Sequence, residues 1–162
     1  EVALSVGREW VPTVGDNEEN TEIRKATGYG MERDDHENEQ AMEDLITAAL
    51  TVNAWNFRLY ANQNISTGFD VIRYKPGDFY ATHTDWGSVH GNRKISVTVQ
   101  LSDPSEYKGG EMVMHNGPEA QVINKTQGTA TFFPSWTLHE VKPVTEGDRW
   151  ALVCFFCGPP YC

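Results

Sequence analysis

The alternation of apolar and polar positions changes period once along the chain, near Asn53. Before that point, residues 32–55 carry apolar side chains at the spacing i, i+3, i+4, i+7 and i+8, which predicts an amphipathic helix. The stripe consists of Met42, Leu45, Ile46, Ala49 and Leu50. Residues 2–29 are polar, irregular and interrupted by proline and glycine, so we expect loops with one short strand there.

Beyond Asn53 the period is two, and short β-rich runs follow one another between clusters of turn-forming residues such as KPGD, HNGPEA and TEGD. The predicted strands are residues 56–60, 69–74, 80–85, 95–101, 111–115, 121–123, 129–133, 138–141 and 149–156. Many short strands at regular spacing are typical of a β-sandwich or barrel. We therefore expect one mainly β domain over residues 1–162, with residues 1–55 as a loop and helix support and residues 56–162 as the β core.

Charge argues against two classes of partner. The chain has 23 acidic and 13 basic residues, a formal net charge of −10. Such an excess repels phosphate backbones and anionic membrane surfaces, and no apolar run reaches the length of a membrane span. We expect neither nucleic acid nor a membrane as a direct partner.

The cysteines indicate a compartment. Cys154, Cys157 and Cys162 are clustered near the end of the sequence, which is unlike the disulfide framework of a secreted protein. We therefore predict a reducing, cytoplasmic environment. Cys154 and Cys157 form a Cys-x-x-Cys motif inside the apolar run ALVCFFC, so packing in a terminal strand is favoured over a redox or zinc site.

Candidate metal chemistry begins at His83 and Asp85, which lie two residues apart and leave the same face of a predicted strand. One imidazole and one carboxylate supply two thirds of the two-histidine, one-carboxylate triad that binds non-haem Fe(II). His90, His115 and His139 are the candidates for the third ligand. His90 lies in a glycine-flanked loop and His115 at a strand end, whereas His139 follows an apolar strand and a turn.

Arg149 lies ten positions after His139 and opens the last predicted strand. An Fe(II) oxygenase that draws electrons from a dicarboxylic keto acid needs a partner for the far carboxylate, and the planar arginine fork binds a carboxylate bidentately. Strand alternation puts Arg149, Ala151, Val153 and Phe155 on one face. The small side chains beyond Arg149 leave room for such a ligand.

Three ordered blocks carry a family resemblance: YKPGDFYATHTDW, RKISVTVQLSDPSEYKGGEM and GTATFFPSWTLHEVKPVTEGDRWAL. Over roughly residues 69–159 the chain resembles the prolyl 4-hydroxylase-like branch of the 2-oxoglutarate- and Fe(II)-dependent dioxygenases, especially small bacterial and phage-type members. The resemblance implies a double-stranded β-helix, a jelly-roll-like squashed barrel of two sheets. It also implies His83, Asp85 and His139 as iron ligands, Arg149 as the anchor of the 2-oxoglutarate C5 carboxylate, and Tyr74 as a co-substrate contact.

The resemblance places four further residues near the site. Gln100 falls where relatives have a tyrosine on the 2-oxoglutarate carboxylate, and can still donate a hydrogen bond. Arg93 and Phe155 match positions beside the substrate. Trp86, together with Trp136, flanks the expected mouth and serves either as a substrate platform or as packing.

The activity implied is 2-oxoglutarate- and O2-dependent hydroxylation, most specifically prolyl 4-hydroxylation of a peptide or protein. Fe(II), 2-oxoglutarate and O2 are the implied cofactors, with ascorbate as a candidate reductant, and the negative charge favours a basic target. Three alternatives stay open: hydroxylation of another residue or a small metabolite, a catalytically silent β-helix binding module, and a zinc hydrolase, which would leave Arg149 unexplained.

Overall fold

The computed structural model describes residues 11–13, 22–31, 39–60, 65–87 and 89–161. Twelve strands and one helix lie within these ranges. They are β1 (Val11–Thr13), β2 (Arg24–Met31), α1 (Glu39–Thr51), β3 (Ser66–Tyr74), β4 (Phe79–His83), β5 (Arg93–Gln100), β6 (Lys108–Gly109), β7 (Met112–Met114), β8 (Gln121–Val122), β9 (Ala130–Pro134), β10 (His139–Val141), β11 (Val144–Glu146) and β12 (Arg149–Cys157).

One antiparallel sheet runs in the order β8-β7-β10-β4-β2-β3-β12-β5-β9, with β1 added beside β2 and a small separate β6-β11 pair. The long sheet is curled about β2. The first residues of β2 pair with β4, whereas the later ones pair with β3. The β4 and β12 halves of the curled sheet therefore enclose a common cavity, and the mainly β architecture predicted from the sequence is confirmed.

Strand β12 lies in the middle of the larger half, between β3 and β5. Its alternating side chains separate two environments, as predicted: Arg149, Ala151, Val153 and Phe155 line the cavity. The opposite face packs into the main apolar core beneath α1. That core includes Leu152, Cys154 and Phe156 from β12 and Met42 and Ala49 from α1. Burial of this apolar face fixes the register of β12, because a slip of one residue would exchange the two faces.

The described part of the helix differs from its prediction at the C-terminal end. Residues 32–38 lie outside the described residues, and α1 ends at Thr51 rather than at Trp55. Leu50 was predicted on the buried stripe but is 54% exposed. After the helix, Asn53 closes a loop with Phe57. The Asn53 side-chain oxygen accepts a hydrogen bond from the Phe57 N–H, and the Asn53 side-chain amide donates one to the Phe57 carbonyl.

Several strand predictions also change. Residues 56–60 form no strand, because Asn56 adopts a positive φ of 53°. Among the described residues, one backbone bond, from Tyr60 N–H to the Cys157 carbonyl, joins this segment to the sheet. Conversely, residues 2–29, which were predicted as loops with one short strand, contain β1 and most of β2, and β2 occupies a central position in the sheet. Strands β6 and β11 were not predicted. The segment before residue 55 therefore contributes a sheet strand as well as the helix.

Cys154 and Cys157 are buried free thiols in β12, which agrees with a packing role. Burial raises the pKa of the Cys157 thiol, which disfavours the reactive thiolate. Cys162 lies outside the described residues. No helix in the described parts of the chain is long and apolar enough to cross a membrane.

The turn between β6 and β7 depends on glycine. Gly110 has a φ of +64°, and a Cβ there would lie 2.9 Å from both the Arg149 Cδ and the Val144 Cγ2. The missing side chain thus leaves space for the buried Arg149. Gly128 also has a positive φ, of +80°, but open space around its Cα.

We expect Gly110→Ala to lower the free energy of unfolding by about 2–4 kcal/mol, because backbone strain and overpacking against Arg149 add together. Gly128→Ala is the matched control and should cost only the strain of about 1–2 kcal/mol. Urea denaturation of both variants measures the difference. Equal losses would show that the space beside Arg149 is not needed for stability.

Candidate active site

The cavity between the two halves of the sheet has a volume of about 270 Å³. Strands from both halves line it: β4, β7 and β10 on one side, and β3, β5, β9 and β12 on the other. Seven of the nine predicted metal, co-substrate and substrate residues line it. They are Tyr74, His83, Asp85, Arg93, His139, Arg149 and Phe155.

A three-residue cluster with metal-ligand geometry lies in this cavity. His83, Asp85 and His139 each offer one ligand atom, and these atoms lie within 4.8 Å of one another. The Nε2 of His83 is 3.5 Å from Asp85 Oδ1, and the Nε2 of His139 is 3.6 Å from Asp85 Oδ2. The antiparallel pairing of β4 with β10 causes this approach, since it sets His83 directly opposite His139.

Both imidazoles are oriented by the same local device. The Nδ1 of His83 donates to the Ala81 carbonyl at 2.7 Å, and the Nδ1 of His139 donates to the Thr137 carbonyl at 2.8 Å. A carbonyl only accepts, so Nδ1 carries the proton and Nε2 presents its lone pair to the cluster. Such carbonyl contacts commonly orient metal-binding histidines. The donor set therefore fits a divalent metal.

The electrostatics favour the protonation states that metal ligands need. Burial alone would raise the pKa of Asp85, but its contacts with His83, His139 and Ser96 hold that pKa below its usual value. Burial lowers the pKa of His139 more strongly than the attraction of Asp85 raises it. An ionised carboxylate and a neutral imidazole are thus favoured near neutral pH.

Arg149 is a buried cation with little compensation. Its side chain is 2% exposed, and its Nη2 donates to Gln100 Oε1 at 3.0 Å. The guanidinium carbon lies 5.3 Å from the centroid of the Tyr74 ring. Among the described residues, no carboxylate lies within ion-pair distance of Arg149, and its Nε has no hydrogen-bond partner. A buried charge left in this state favours binding of an anion.

At another part of the cavity wall, Arg93 stacks on Phe155, with its guanidinium carbon 3.7 Å from the ring centroid. The Arg93 Nη1 also donates to the Asp85 carbonyl at 3.3 Å. The arginine thereby links the cluster to Phe155. Asp70 lines the same cavity, and burial raises its pKa against the opposing attraction of Arg24 and Arg93.

Two predicted contacts lie elsewhere. Gln100 does not line the cavity but accepts from Arg149, so its place is behind the guanidinium. Trp86 is 41% exposed and lines a smaller adjoining cavity of about 130 Å³. His115 is outside the metal cluster and pairs with Glu140 at 3.0 Å.

Sequence reasoning missed part of the lining. His90, interpreted as loop decoration, lines both the main and the smaller cavity, and Arg24, Asp70 and Tyr80 also line the main one. Tyr80 stacks on His83 with ring centroids 3.5 Å apart. Tyr80 lies in the predicted strand 80–85, three residues before His83. This closeness in sequence could have indicated that Tyr80 lies near the site. Arg24 had no such signal, because the short strand expected within residues 2–29 was not assigned to particular residues.

Comparison with known proteins places the chain in a family. The model of the 2OG-Fe(II) oxygenase superfamily matches residues 69–157, more than half of the chain. A PKHD-type hydroxylase of Picosynechococcus sp. is 35% identical over 132 residues, which are 81% of this chain and 56% of that relative. A PKHD-type hydroxylase of Maricaulis maris is 41% identical over 85 residues, 51% of this chain and 38% of the relative. The chain thus spans about half the length of such relatives, or less.

Solved structures agree on the fold. A prolyl-4-hydroxylase of Pseudomonas putida superposes with a TM-score of 0.73 at 21% identity, over 93% of this chain and 78% of that one. A Trichoplax adhaerens prolyl hydroxylase in complex with a hypoxia inducible factor peptide gives 0.69 at 19% identity, over 83% and 64%. Such prolyl hydroxylases have a double-stranded β-helix core, which confirms the predicted architecture. From its sequence match and its β-helix fold, the chain belongs to the 2OG-Fe(II) oxygenase superfamily.

Proposed function

We propose that the protein is a 2-oxoglutarate- and Fe(II)-dependent hydroxylase that acts on prolyl residues of a peptide or protein. The observation that carries this proposal is Arg149, a buried cation without a carboxylate partner, in the same cavity as a metal-ligand cluster. A metal and a remote anion site together suit a dicarboxylic co-substrate. A zinc hydrolase would not need the arginine.

Membership of the superfamily implies Fe(II), 2-oxoglutarate and O2 as cofactors, and the cluster of His83, Asp85 and His139 fits iron. When bound, these cofactors supply the oxidising chemistry: 2-oxoglutarate loses CO2 to give succinate, and one oxygen atom enters a C–H bond of the substrate. Ascorbate as an added reductant stays a prediction.

The residues of this chain have binding and positioning roles. His83, Asp85 and His139 would hold the iron through Nε2, a carboxylate oxygen and Nε2. The free edge of the Arg149 guanidinium, including Nε, would bind the far carboxylate of 2-oxoglutarate, while Gln100 orients the guanidinium from behind. Tyr74 closes the space beside Arg149, and the small Ala151 leaves room for the ligand.

The prolyl substrate is supported by relatives. PKHD-type hydroxylases match in sequence, and two prolyl hydroxylases match in fold, one of them in complex with a peptide. Arg93 and Phe155 then lie where a substrate side chain would enter the cavity. The net charge of −10 favours a basic peptide.

Anaerobic reconstitution with Fe(II), followed by O2 and 2-oxoglutarate, tests this function. We expect proline-containing peptides to stimulate succinate release and to gain one oxygen atom on proline, measured by mass spectrometry. Addition of oxygen to a different residue or to a small metabolite would show that the protein acts on another class of substrate. Absence of succinate under every condition would rule out the hydroxylase and leave a binding module.

Arg149→Ala should raise the KM for 2-oxoglutarate roughly 30-fold to several-thousand-fold, since truncating one partner of a buried charge pair costs about 2–5 kcal/mol. The KM of Arg149→Lys should lie between those of the wild type and Arg149→Ala, because the lysine ammonium keeps the charge but cannot bind a carboxylate bidentately. Arg73→Ala is the matched control: Arg73 follows Ile72 on β3, does not line the cavity, and pairs with Asp148. A rise in KM for Arg73→Ala of similar size would contradict the assignment.

Asp85→Ala should weaken binding of Mn(II), a redox-quiet substitute for iron, by roughly a hundredfold or more, because a ligand is lost. Equilibrium dialysis measures this without any turnover. Asp70→Asn removes another cavity carboxylate outside the cluster and should leave Mn(II) affinity unchanged. If both variants lose the metal equally, the cavity charge rather than the cluster holds it.

A further inference from the structure

We propose that an exposed row of aromatic rings beside the cavity binds the flank of a proline-rich peptide in an extended, polyproline II conformation. We call this row the aromatic ribbon, and it consists of Trp86, Tyr161, Trp136, Phe57 and Trp55. The inference deepens the proposed prolyl hydroxylase function and rests on it for the identity of the reacting residue.

The rings of the aromatic ribbon form a continuous path. Neighbouring centroids are 6.1 Å apart from Trp86 to Tyr161, 5.6 Å from Tyr161 to Trp136, 5.1 Å from Trp136 to Phe57 and 5.7 Å from Phe57 to Trp55. The first three pairs meet at steep angles of 64–82°. Rings that stand edge to face leave shallow slots between them.

Much of this apolar surface is open to water. Trp55 is 39% exposed, Trp86 41%, Tyr161 44% and Trp136 45%. Single exposed hydrophobic residues need no explanation, but a contiguous row of large aromatics marks a binding surface. Phe57, which is partly buried against the main core, anchors the middle of the row.

The backbone beneath the aromatic ribbon is tied together. Asn53 brackets Phe57 with two hydrogen bonds, of 3.0 and 2.8 Å. The end of β12 lies against the same loop, since Tyr60 N–H donates to the Cys157 carbonyl, and a Cβ on Gly158 would overlap the Arg58 carbonyl oxygen. A surface ordered in advance loses little entropy when a ligand binds.

Two further contacts hold individual rings. The Nζ of the buried Lys94 lies 3.1 Å from the centroid of Tyr161, a cation–π contact. The backbone N–H of Trp86 donates to the Ser135 carbonyl at 3.0 Å, which joins the loop of Trp86 to the residue before Trp136.

The aromatic ribbon leads to the metal cluster. Trp86 follows the cluster residue Asp85 directly and lines the smaller cavity, whose wall also contains Tyr80, His90 and Arg93. These three residues line the main cavity as well. A peptide lying along the ribbon would therefore pass its next residues toward the reacting centre.

The spacing of the rings is compatible with an extended occupant. Polyproline II rises about 3.1 Å per residue, so two residues advance about 6 Å, close to the ring-to-ring steps. Aromatic-lined grooves are a common way of binding proline-rich segments, which lose little entropy because they are already extended.

The test uses fluorescein-labelled alternating Ala-Pro peptide of about ten residues, long enough to cover the ribbon. Its binding to the protein, with Mn(II) and 2-oxoglutarate present, is followed by fluorescence anisotropy. We expect Trp136→Ala and Trp55→Ala each to raise Kd roughly tenfold, as is usual for truncation of an interface tryptophan, and Trp136→Phe to recover part of the loss. Val122→Ala removes apolar surface from β8, where Val122 is 60% exposed, and should leave Kd unchanged.

A capped Ala-Pro-Ala tripeptide is too short to span the ribbon, so its turnover should not depend on Trp55. An unchanged Kd for the long peptide in both tryptophan variants would overturn the inference, as would equal affinity for an alternating Ala-Ser peptide. Sedimentation of the wild type as a dimer that Trp136→Ala dissociates would also overturn it, because a second copy would then cover the ribbon. If the long peptide binds through the aromatic ribbon but gains no oxygen on proline, the docking surface is supported. Only the proposed prolyl hydroxylase function is then contradicted.

Discussion

Strand β2 belongs to both halves of the curled sheet, and the candidate site depends on this sharing. In the sheet order, β2 and β3 separate β4 from β12. Strands are about 4.8 Å apart in a sheet, so a flat arrangement would hold β4 and β12 roughly 14 Å from one another with their side chains pointing the same way. Because β2 pairs with β4 at one end and with β3 at the other, the sheet bends and the two strands face one cavity. The histidine cluster and Arg149 meet only through that bend.

Within the cavity, Arg149 is the feature that stability alone does not explain. A cation that is 2% exposed needs compensation, and a glutamine oxygen and the face of Tyr74 supply only part of it. Replacement by an apolar residue would suit the core better. An uncompensated buried charge is the condition in which a dianionic ligand gains most from binding. The cluster of His83, Asp85 and His139 has the complementary property, since ligands that are already oriented need little rearrangement to accept a metal.

Sequence patterns predicted the parts of the site that depend on strand period. The His83 and Asp85 pair and the cavity face of β12 follow from alternation, and their placement in one cavity agrees. The bounds of β2 were not predicted within residues 2–29, where one short strand was expected, because Gly28 and Gly30 line the cavity without side chains and weaken the apolar signal of that strand. Residues 56–60 have strand composition, but the positive φ of Asn56 interrupts the extended backbone. Gln100 occupies a strand position whose partner is decided by tertiary packing, and a single sequence does not contain that information.

Strand β12 links Arg149 in the cavity to the loop that carries part of the aromatic ribbon. Its first residue is Arg149, and its last, Cys157, accepts the backbone bond that ties down the loop containing Phe57. Eight residue steps at about 3.3 Å separate these ends by roughly 26 Å. The buried apolar face of the strand fixes its register, so neither end can slide relative to the other. The distance between Arg149, the proposed co-substrate anchor, and the aromatic ribbon is therefore set by the strand itself. The side chains of the ribbon lie in connecting loops, where they can vary without disturbing the cavity.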